Sequence, residues 1–266
     1  MARILRLLRD APSIGLIGQT ALDTVTTADG RRVERLGGTP LYARRALRAA
    51  GVEPVVVTRA PGLPDSVVLP SRSLLRSILD HRPDGLRQRL DEVGQPFSAR
   101  ELERLAEREL RGCAWLLLGG QSSGDFPPDA MRALSARGHR VILDGQGLSR
   151  GPDAGPVRLR PFPASAVEGV QALKLNRAEA EVFGSSRALA ALGVPELLVT
   201  DGTAGVRVRA GGRWTTVPAD GRAFADPTGA GDSFSALYAL ERARGAGPVQ
   251  AARLAVRAVD ALYAPP

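Results

Sequence analysis

Near its C-terminus the chain reads Asp226-Pro227-Thr228-Gly229-Ala230-Gly231-Asp232-Ser233-Phe234, followed by the apolar pattern SALYALERAR. That pattern predicts a helix, and the Gly-Ala-Gly turn opens it. The first amides of a helix have no partner within it, and the helix dipole adds about half a positive charge there, so such an end receives anions. Side chains no larger than a methyl at Gly229, Ala230 and Gly231 let a phosphate approach these N–H groups. Asp232 is the odd member of an anion-binding turn. A carboxylate belongs there if it takes a proton from an incoming hydroxyl while a phosphoryl group migrates. An ordinary helix-capping acid is the other reading of the same residue.

Other segments carry residues of use to such a reaction. In Lys174-Leu175-Asn176-Arg177-Ala178-Glu179 the spacing puts Asn176 at the N-cap and Glu179 at the third position of a helix, a capping-box arrangement. Thr200-Asp201-Gly202-Thr203-Ala204-Gly205 is a two-glycine turn between strand-like runs. Asp23 follows the first apolar run, where a turn acid is common. Gly37 and Gly38 precede the helical pattern TPLYARRALRAAG, at a point where bare backbone can come close to a ligand.

The elements that position these residues alternate. Short apolar runs at 14–18, 54–58, 114–119, 140–144, 172–175 and 196–200 predict strands, with helices over 41–50, 99–111, 129–137 and 177–183 among them. Such alternation implies a mostly parallel sheet covered by helices, with ligands at the carboxyl ends of the strands. Residues 24–36, TVTTADGRRVERL, depart from it: two polar, β-branched stretches flank Asp29-Gly30, a strong hairpin signal. Residues 149–164 are rich in Pro and Gly and predict an irregular connection.

With these segments in this order, the chain from about Ile14 to Leu262 resembles the ribokinase-like (PfkB) carbohydrate kinases, and DPTGAGDSF is similar to that family's C-terminal signature. The resemblance implies one doubly wound α/β domain over 1–266, its mostly parallel sheet flanked by helices, with a short two-stranded β lid at 23–36. It implies ATP-dependent transfer of a γ-phosphoryl group to a hydroxyl of a sugar, cyclic polyol or nucleoside, with Mg²⁺. By the same resemblance Asp232 is the general base, and the amides of Gly229, Ala230 and Gly231 form the anion hole. Glu179 orients hydrated Mg²⁺, Asn176 lies near the nucleotide phosphates, and Thr200, Gly202 and Gly205 run beside the nucleotide. Asp226 is the candidate ligand of a monovalent cation such as K⁺, or else accepts backbone N–H bonds in its own loop. Asp23 matches the aspartate that bonds substrate hydroxyls, and Gly37 and Gly38 match the first glycine pair. Ribokinase-type relatives carry an asparagine four residues after that pair, where this chain has Tyr42, which argues against ribose. Asp144-Gly145-Gln146-Gly147 with Arg150 resembles a D-x-Q-G…R variant found in a branch with inositol-kinase-like members, and it places Gln146 and Arg150 at the acceptor. A homodimer through paired lids occurs in several relatives; TVTTADGRRVERL is silent on it.

Composition narrows the alternatives. The 266 residues, 44% of them hydrophobic, suffice for one large α/β domain. Cys113 is the only cysteine, so no internal disulfide forms and a reducing, cytoplasmic setting is expected. The opening MARILRLLRD is interrupted by Arg6 and Arg9 and lacks a cleavage site, and no run reaches a membrane span. The net charge of +8 is spread along the chain with acids interspersed, and Lys174 is the only lysine. A nucleic-acid partner is therefore not expected. Gly120-Gln121-Ser122-Ser123-Gly124 matches a nucleophile elbow, but Pro127 and Pro128 block the helix that must follow, and neither His81 nor His139 comes after it in a usable place. A P-loop is absent from the sequence, and two histidines with one cysteine do not make a zinc site. A ligand-binding relative without catalysis is the non-enzyme alternative, and the intact Asp232 argues against it.

Overall fold

The computed structural model describes residues 13–26, 30–82 and 85–264. Its strands in chain order are β1 (Ser13–Gly18), β2 (Ala21–Thr26), β3 (Arg32–Gly37), β4 (Val55–Thr58), β5 (Val67–Val68), β6 (Leu75–Arg82), β7 (Gly85–Glu92), β8 (Cys113–Gly119), β9 (Arg140–Asp144), β10 (Gly155–Pro156), β11 (Val170–Asn176), β12 (Glu196–Thr200), β13 (Val206–Ala210) and β14 (Arg213–Val217). Between them run α1 (Thr39–Ala49), α2 (Ala99–Glu107), α3 (Pro128–Ala136), α4 (Gln146–Ser149), α5 (Arg177–Glu181) and α6 (Ser186–Ala190), and after them α7 (Ala230–Ala243) and α8 (Pro248–Leu262).

Nine strands form the main sheet in the order β14-β13-β12-β11-β9-β8-β1-β4-β5. All its pairs are parallel except the two at the β14 edge. Both faces are covered, so the central strands are apolar on both sides. On β8, Trp115 and Leu117 pack towards α1, α7 and α8, whereas Leu116 and Leu118 pack towards α2 and α3. Each such leucine contributes about 2 kcal/mol through area removed from water. The registers bring the carboxyl ends level: Gly119 stands opposite Asp144, Asp144 opposite Lys174, and Asn176 opposite Thr200. That edge is where the two-period pattern stops and polar side chains begin.

A second sheet, in the order β10-β7-β6-β2-β3, stands over one end of the first. Here the structure differs from the two-stranded lid expected over 23–36: β6, β7 and β10 add three more strands, and β2 pairs with β6 in parallel. The added strands β6 and β7 are dense in Arg and Asp, and Leu75, Leu79 and Leu90 on them are buried. So thin an apolar stripe gives little periodic signal. The irregular connection over 149–164 contributes β10, which pairs with β7. Gly30 has the positive φ that the expected turn requires, +80°; residues 27–29, including Asp29, lie outside the described residues. The helix expected over 99–111 stops at Glu107, where Arg108 leaves helical geometry at ψ −91° and Leu110 N–H turns back to Leu105 O.

Candidate active site

Gly229 is the N-cap of α7, with φ +80°, a left-handed conformation that costs a residue with a β carbon energy. A β carbon at Gly229 would also collide with the ring of Tyr42, which packs against the turn from α1. The missing side chain at Gly229 thus lets Tyr42 pack directly against the turn that starts α7. Asp232 occupies the first turn of that helix, half-buried, and Thr39 Oγ1 donates a 2.6 Å hydrogen bond to its Oδ1. Withdrawal from water and the charge of Asp144 push its carboxyl up to about 6, against the Thr39 bond and the cations Lys174 and Arg150.

Two cavities meet at this carboxylate. One, of about 320 Å³, runs from Asp144, Lys174 and Asn176 past Thr200, Gly202 and Gly205 to an apolar end made by Val206, Ala219, Phe224, Val256 and Val259. The other, of about 660 Å³, lies under the second sheet and is lined by Asp23, Arg35, Gly38, Tyr42, Gln88, Gln121 and Arg150. Gln146, Pro227, Gly229 and Asp232 line both.

The larger cavity combines an apolar wall, including Val25 and Leu79, with a connected set of polar side chains. Asp23 on β2 is 6% exposed and accepts a 2.5 Å bond from Ser77 Oγ. Burial holds its carboxyl above the usual range, against the Ser77 bond and the nearby Arg35 and Arg150. Gly37 has no side chain because a β carbon there would run into that carboxylate; Gly38, at φ +94°, would strike Gln19 O. Arg150 is buried and donates to Gln121 Oε1 at 2.7 Å and Gln88 Oε1 at 2.8 Å, and Gln146 Nε2 reaches the same Gln121 oxygen at 3.0 Å. The Nε atoms of Arg35 and Arg150 are buried without a partner. Asp226 is exposed: it accepts the Thr228 N–H at 2.9 Å and pairs with Arg35 at 3.5 Å.

In the smaller cavity, Asn176 and Glu179 form the capping box that the spacing predicts. Glu179 N–H donates to Asn176 Oδ1 at 2.9 Å, and Asn176 N–H and Nδ2 donate to the two Glu179 oxygens at 2.8 Å each. Glu179 is 2% exposed and sits behind Asn176, not on the cavity wall. Burial pushes its carboxyl up. Gly205, at φ +98°, leaves no room for a β carbon against Val217 and Ala219. Among the described residues no group of three or more His, Cys, Asp and Glu side chains could hold a metal by itself. None of the described helices is long and apolar enough to cross a membrane.

The residues that the sequence assigned to the site lie at one of the two cavities or, like Gly37 beside Asp23 and Glu179 behind Asn176, next to a residue that lines one. Sequence reasoning gave no role to Thr39, Lys174 or Arg35, nor to Ser77, Gln88 and Gln121. Lys174 had one signal, its uniqueness, and Thr39 another, its place directly after the glycine pair. The elbow-like Ser122 is buried and donates to Asp125 at 2.9 Å, a local turn contact. His139, in the connection just before β9, is 8% exposed, and its Nδ1 bonds Cys113 O at 2.7 Å.

The N-terminus of α7 and the Asp232 carboxylate thus stand between two cavities at the carboxyl edge of a doubly wound sheet; of the first amides of that helix, Ala230 N–H donates to Pro227 O at 3.0 Å. Residues 154–259 match the pfkB family carbohydrate kinases. Among solved structures, the fold is similar to a pyrophosphate-dependent kinase in the ribokinase family complexed with a pyrophosphate analog and myo-inositol, at TM-score 0.81 and 20% identity over 95% of this chain and 96% of that one. It is also similar to Arabidopsis thaliana ribokinase complexed with ribose and ATP, at TM-score 0.66 and 19% identity over 94% and 91%. A third similar structure is Burkholderia thailandensis nucleoside kinase in complex with inosine, at TM-score 0.69 and 18% identity over 95% and 91%. The chain has the ribokinase-like fold, and the family match falls on its C-terminal part, residues 154–259.

Proposed function

We propose that the protein is an ATP-dependent kinase that transfers the γ-phosphoryl group to a hydroxyl of a sugar or cyclic polyol. One observation carries this reading: Asp232 lines both cavities, in the first turn of α7. Asp232 then accepts the proton of the attacking hydroxyl, and the amides of Gly229, Ala230 and Gly231 stabilise charge on the migrating group. Thr39 holds one oxygen of the base and leaves the other for the acceptor.

The smaller cavity suits the donor. Its polar end, with Asn176, would take the phosphates, its floor is Thr200, Gly202 and Gly205, and its apolar end would take a flat base. Magnesium would enter as a hydrated ion held by the donor phosphates, and Glu179, whose oxygens accept from Asn176, would serve it only through water; among the described residues no group of three or more His, Cys, Asp and Glu side chains would cage it. Asp226 would serve a monovalent cation such as K⁺ only by giving up Arg35. The larger cavity suits a ring bearing several hydroxyls. Asp23 accepts from them, Gln146 and Arg150 donate, Tyr42 closes one side, and Gly37 and Gly38 let the ring approach the backbone. The second sheet excludes water and so limits hydrolysis of the donor. Its edge strand β3 exposes Val33 at 49%, a surface on which a second copy could dock.

A second reading concerns the donor only. The donor cavity is small, about 320 Å³, and has a buried cation at its polar end, features that suit pyrophosphate as well as ATP. Purified protein with Mg²⁺ is to be assayed with ATP and with pyrophosphate against myo-inositol, ribose and inosine. Product formation from ATP and a polyol is the expected result; turnover with pyrophosphate alone moves the donor assignment, and turnover of inosine alone moves the acceptor. Asp232→Asn should lower turnover by roughly 10³-fold or more while leaving donor affinity intact. Near-native turnover in that variant would refute the assignment of the base.

A further inference from the structure

The chain uses arginine for its basic residues everywhere but one: of 36 Lys and Arg, Lys174 is the only lysine. It lies near the carboxyl end of β11, 4% exposed, and lines the donor cavity. Its strand register sets it opposite Asp144 on β9, and Nζ donates to both oxygens of that carboxylate, at 3.0 and 3.3 Å. An ammonium has three protons to give, and one carboxylate leaves it donor capacity over. Gly231 shows where the rest of that capacity points. A β carbon on Gly231 would lie 2.9 Å from Nζ, so the ammonium sits against the turn whose amides receive the phosphate.

A purely structural partner for Asp144 would not need to be lysine. A guanidinium satisfies a carboxylate better, with two parallel bonds, and the chain prefers it wherever else a cation is wanted. What arginine cannot do here is fit: a planar fork is wider than an ammonium, and Gly231 is glycine at the point where the space is tightest. A compact point charge at that spot is what a crowded phosphoryl group requires. Burial pulls the ammonium down, but the carboxylates of Asp144, Glu179 and Asp232 outweigh it and keep Lys174 protonated.

We propose that Lys174 is a catalytic residue whose ammonium group contacts the non-bridging oxygens of the transferring phosphoryl group at the Gly231 turn, with Asp144 fixing its position. This rests on the phosphotransfer reading above. In that transfer the acceptor oxygen forms a bond to the terminal phosphorus of the donor, and the bridging P–O bond breaks with its electron pair leaving on the donor oxygen. The acceptor proton passes to Asp232. Lys174 keeps its own protons and makes no covalent bond; it offsets charge on the group in flight.

The uniqueness of Lys174 supplies the test. Protein grown with ¹³C,¹⁵N-lysine carries a single lysine side-chain signal set. Titration with ATP and, separately, with inorganic pyrophosphate in the presence of MgCl₂ should shift the Cε and Nζ resonances saturably with at least one of them, and myo-inositol alone should not. In parallel, Lys174→Arg and Lys174→Met should each lose about 10²-fold or more in kcat while the acceptor KM changes by no more than about threefold. Should Lys174→Met fail to fold, the charge-balanced Lys174→Met/Asp144→Asn takes its place, with far-UV circular dichroism as the control. Resonances that stay put at saturating donor while the protein turns over, or a Lys174→Arg enzyme near wild-type rate, overturn the proposal. A wild-type protein that shifts with pyrophosphate but phosphorylates none of the acceptors keeps the phosphate contact and sinks the kinase reading instead.

Discussion

Thr39 Oγ1 donates to Asp232 Oδ1 across 2.6 Å, tying the first residue of one helix to the first turn of another. A hydrogen bond to the charged form favours that form, so the bond works against the burial and the Asp144 charge that raise this carboxyl to about 6. A base must be deprotonated to act. The rate should therefore be full above that value and fall as pH drops through it. Thr39→Val removes one of the effects that lower the pKa, and the acid limb of the kcat/KM profile should move to higher pH, with a loss of about tenfold at pH 6 and a smaller one at pH 8. The pH–rate profiles of the two proteins check it. The charged groups that could complicate the reading are Asp144, Lys174 and Arg150, all of which remain in the variant.

Gly229→Ala tests the turn. Alanine at φ +80° costs about 1–2 kcal/mol, and its methyl would meet the Tyr42 ring. The melting temperature should fall by roughly 5 °C and kcat by about 10²-fold. Adding Tyr42→Ala relieves the collision but not the backbone strain, so thermal melts of the double variant should recover part of the stability and not all. Complete recovery would mean that the left-handed turn costs nothing and that packing alone selects glycine.

Glu179 has two candidate duties, and one substitution separates them. Its oxygens accept both the N–H and the Nδ2 of Asn176, which is a structural duty. Glu179→Gln retains one acceptor and loses the charge. If the carboxylate serves Mg²⁺ through water, the half-saturating Mg²⁺ concentration should rise about tenfold while thermal stability changes by no more than about 1 kcal/mol. An unchanged Mg²⁺ titration leaves the residue with the helix cap alone.

Much of this site is local in sequence and was legible there. The turn from Gly229 to Asp232, the capping box and the glycine pair are contiguous motifs whose backbone demands show in residue type. The six core strands are legible for the same reason, since two-sided burial leaves continuous apolar runs such as CAWLLLG. Residues that act through distant partners were not. Thr39 and Asp232 are separated by 193 positions and Asp144 and Lys174 by 30; the packing of α1 on α7 brings the first pair together, and strand register the second. The second sheet failed for a different reason: β7, GLRQRLDE, has only two leucines among its residues, and a nearly all-polar strand resembles a loop. Tertiary pairing with β6 overrides that weak local preference.

Arg35 joins the second sheet to the turn that precedes α7. Its Nη2 donates to Thr228 Oγ1 at 3.2 Å and its Nη1 faces Asp226 at 3.5 Å, so strand β3 is latched over the larger cavity. A pair of this exposure is worth about 0–1 kcal/mol, so Arg35→Ala should leave the melting temperature nearly unchanged. Its expected effect is on closure. The acceptor KM should rise about tenfold, and hydrolysis of the donor in the absence of acceptor should increase as water enters. Asp226→Asn weakens the same latch and should show the same two changes. If Asp226 instead serves a monovalent cation, replacing K⁺ by Na⁺ will distinguish wild type from Asp226→Asn and leave Arg35→Ala responding like wild type. Initial-rate measurements of the three proteins in both salts decide between latch and cation site, because only the latch predicts that Arg35 and Asp226 variants behave alike.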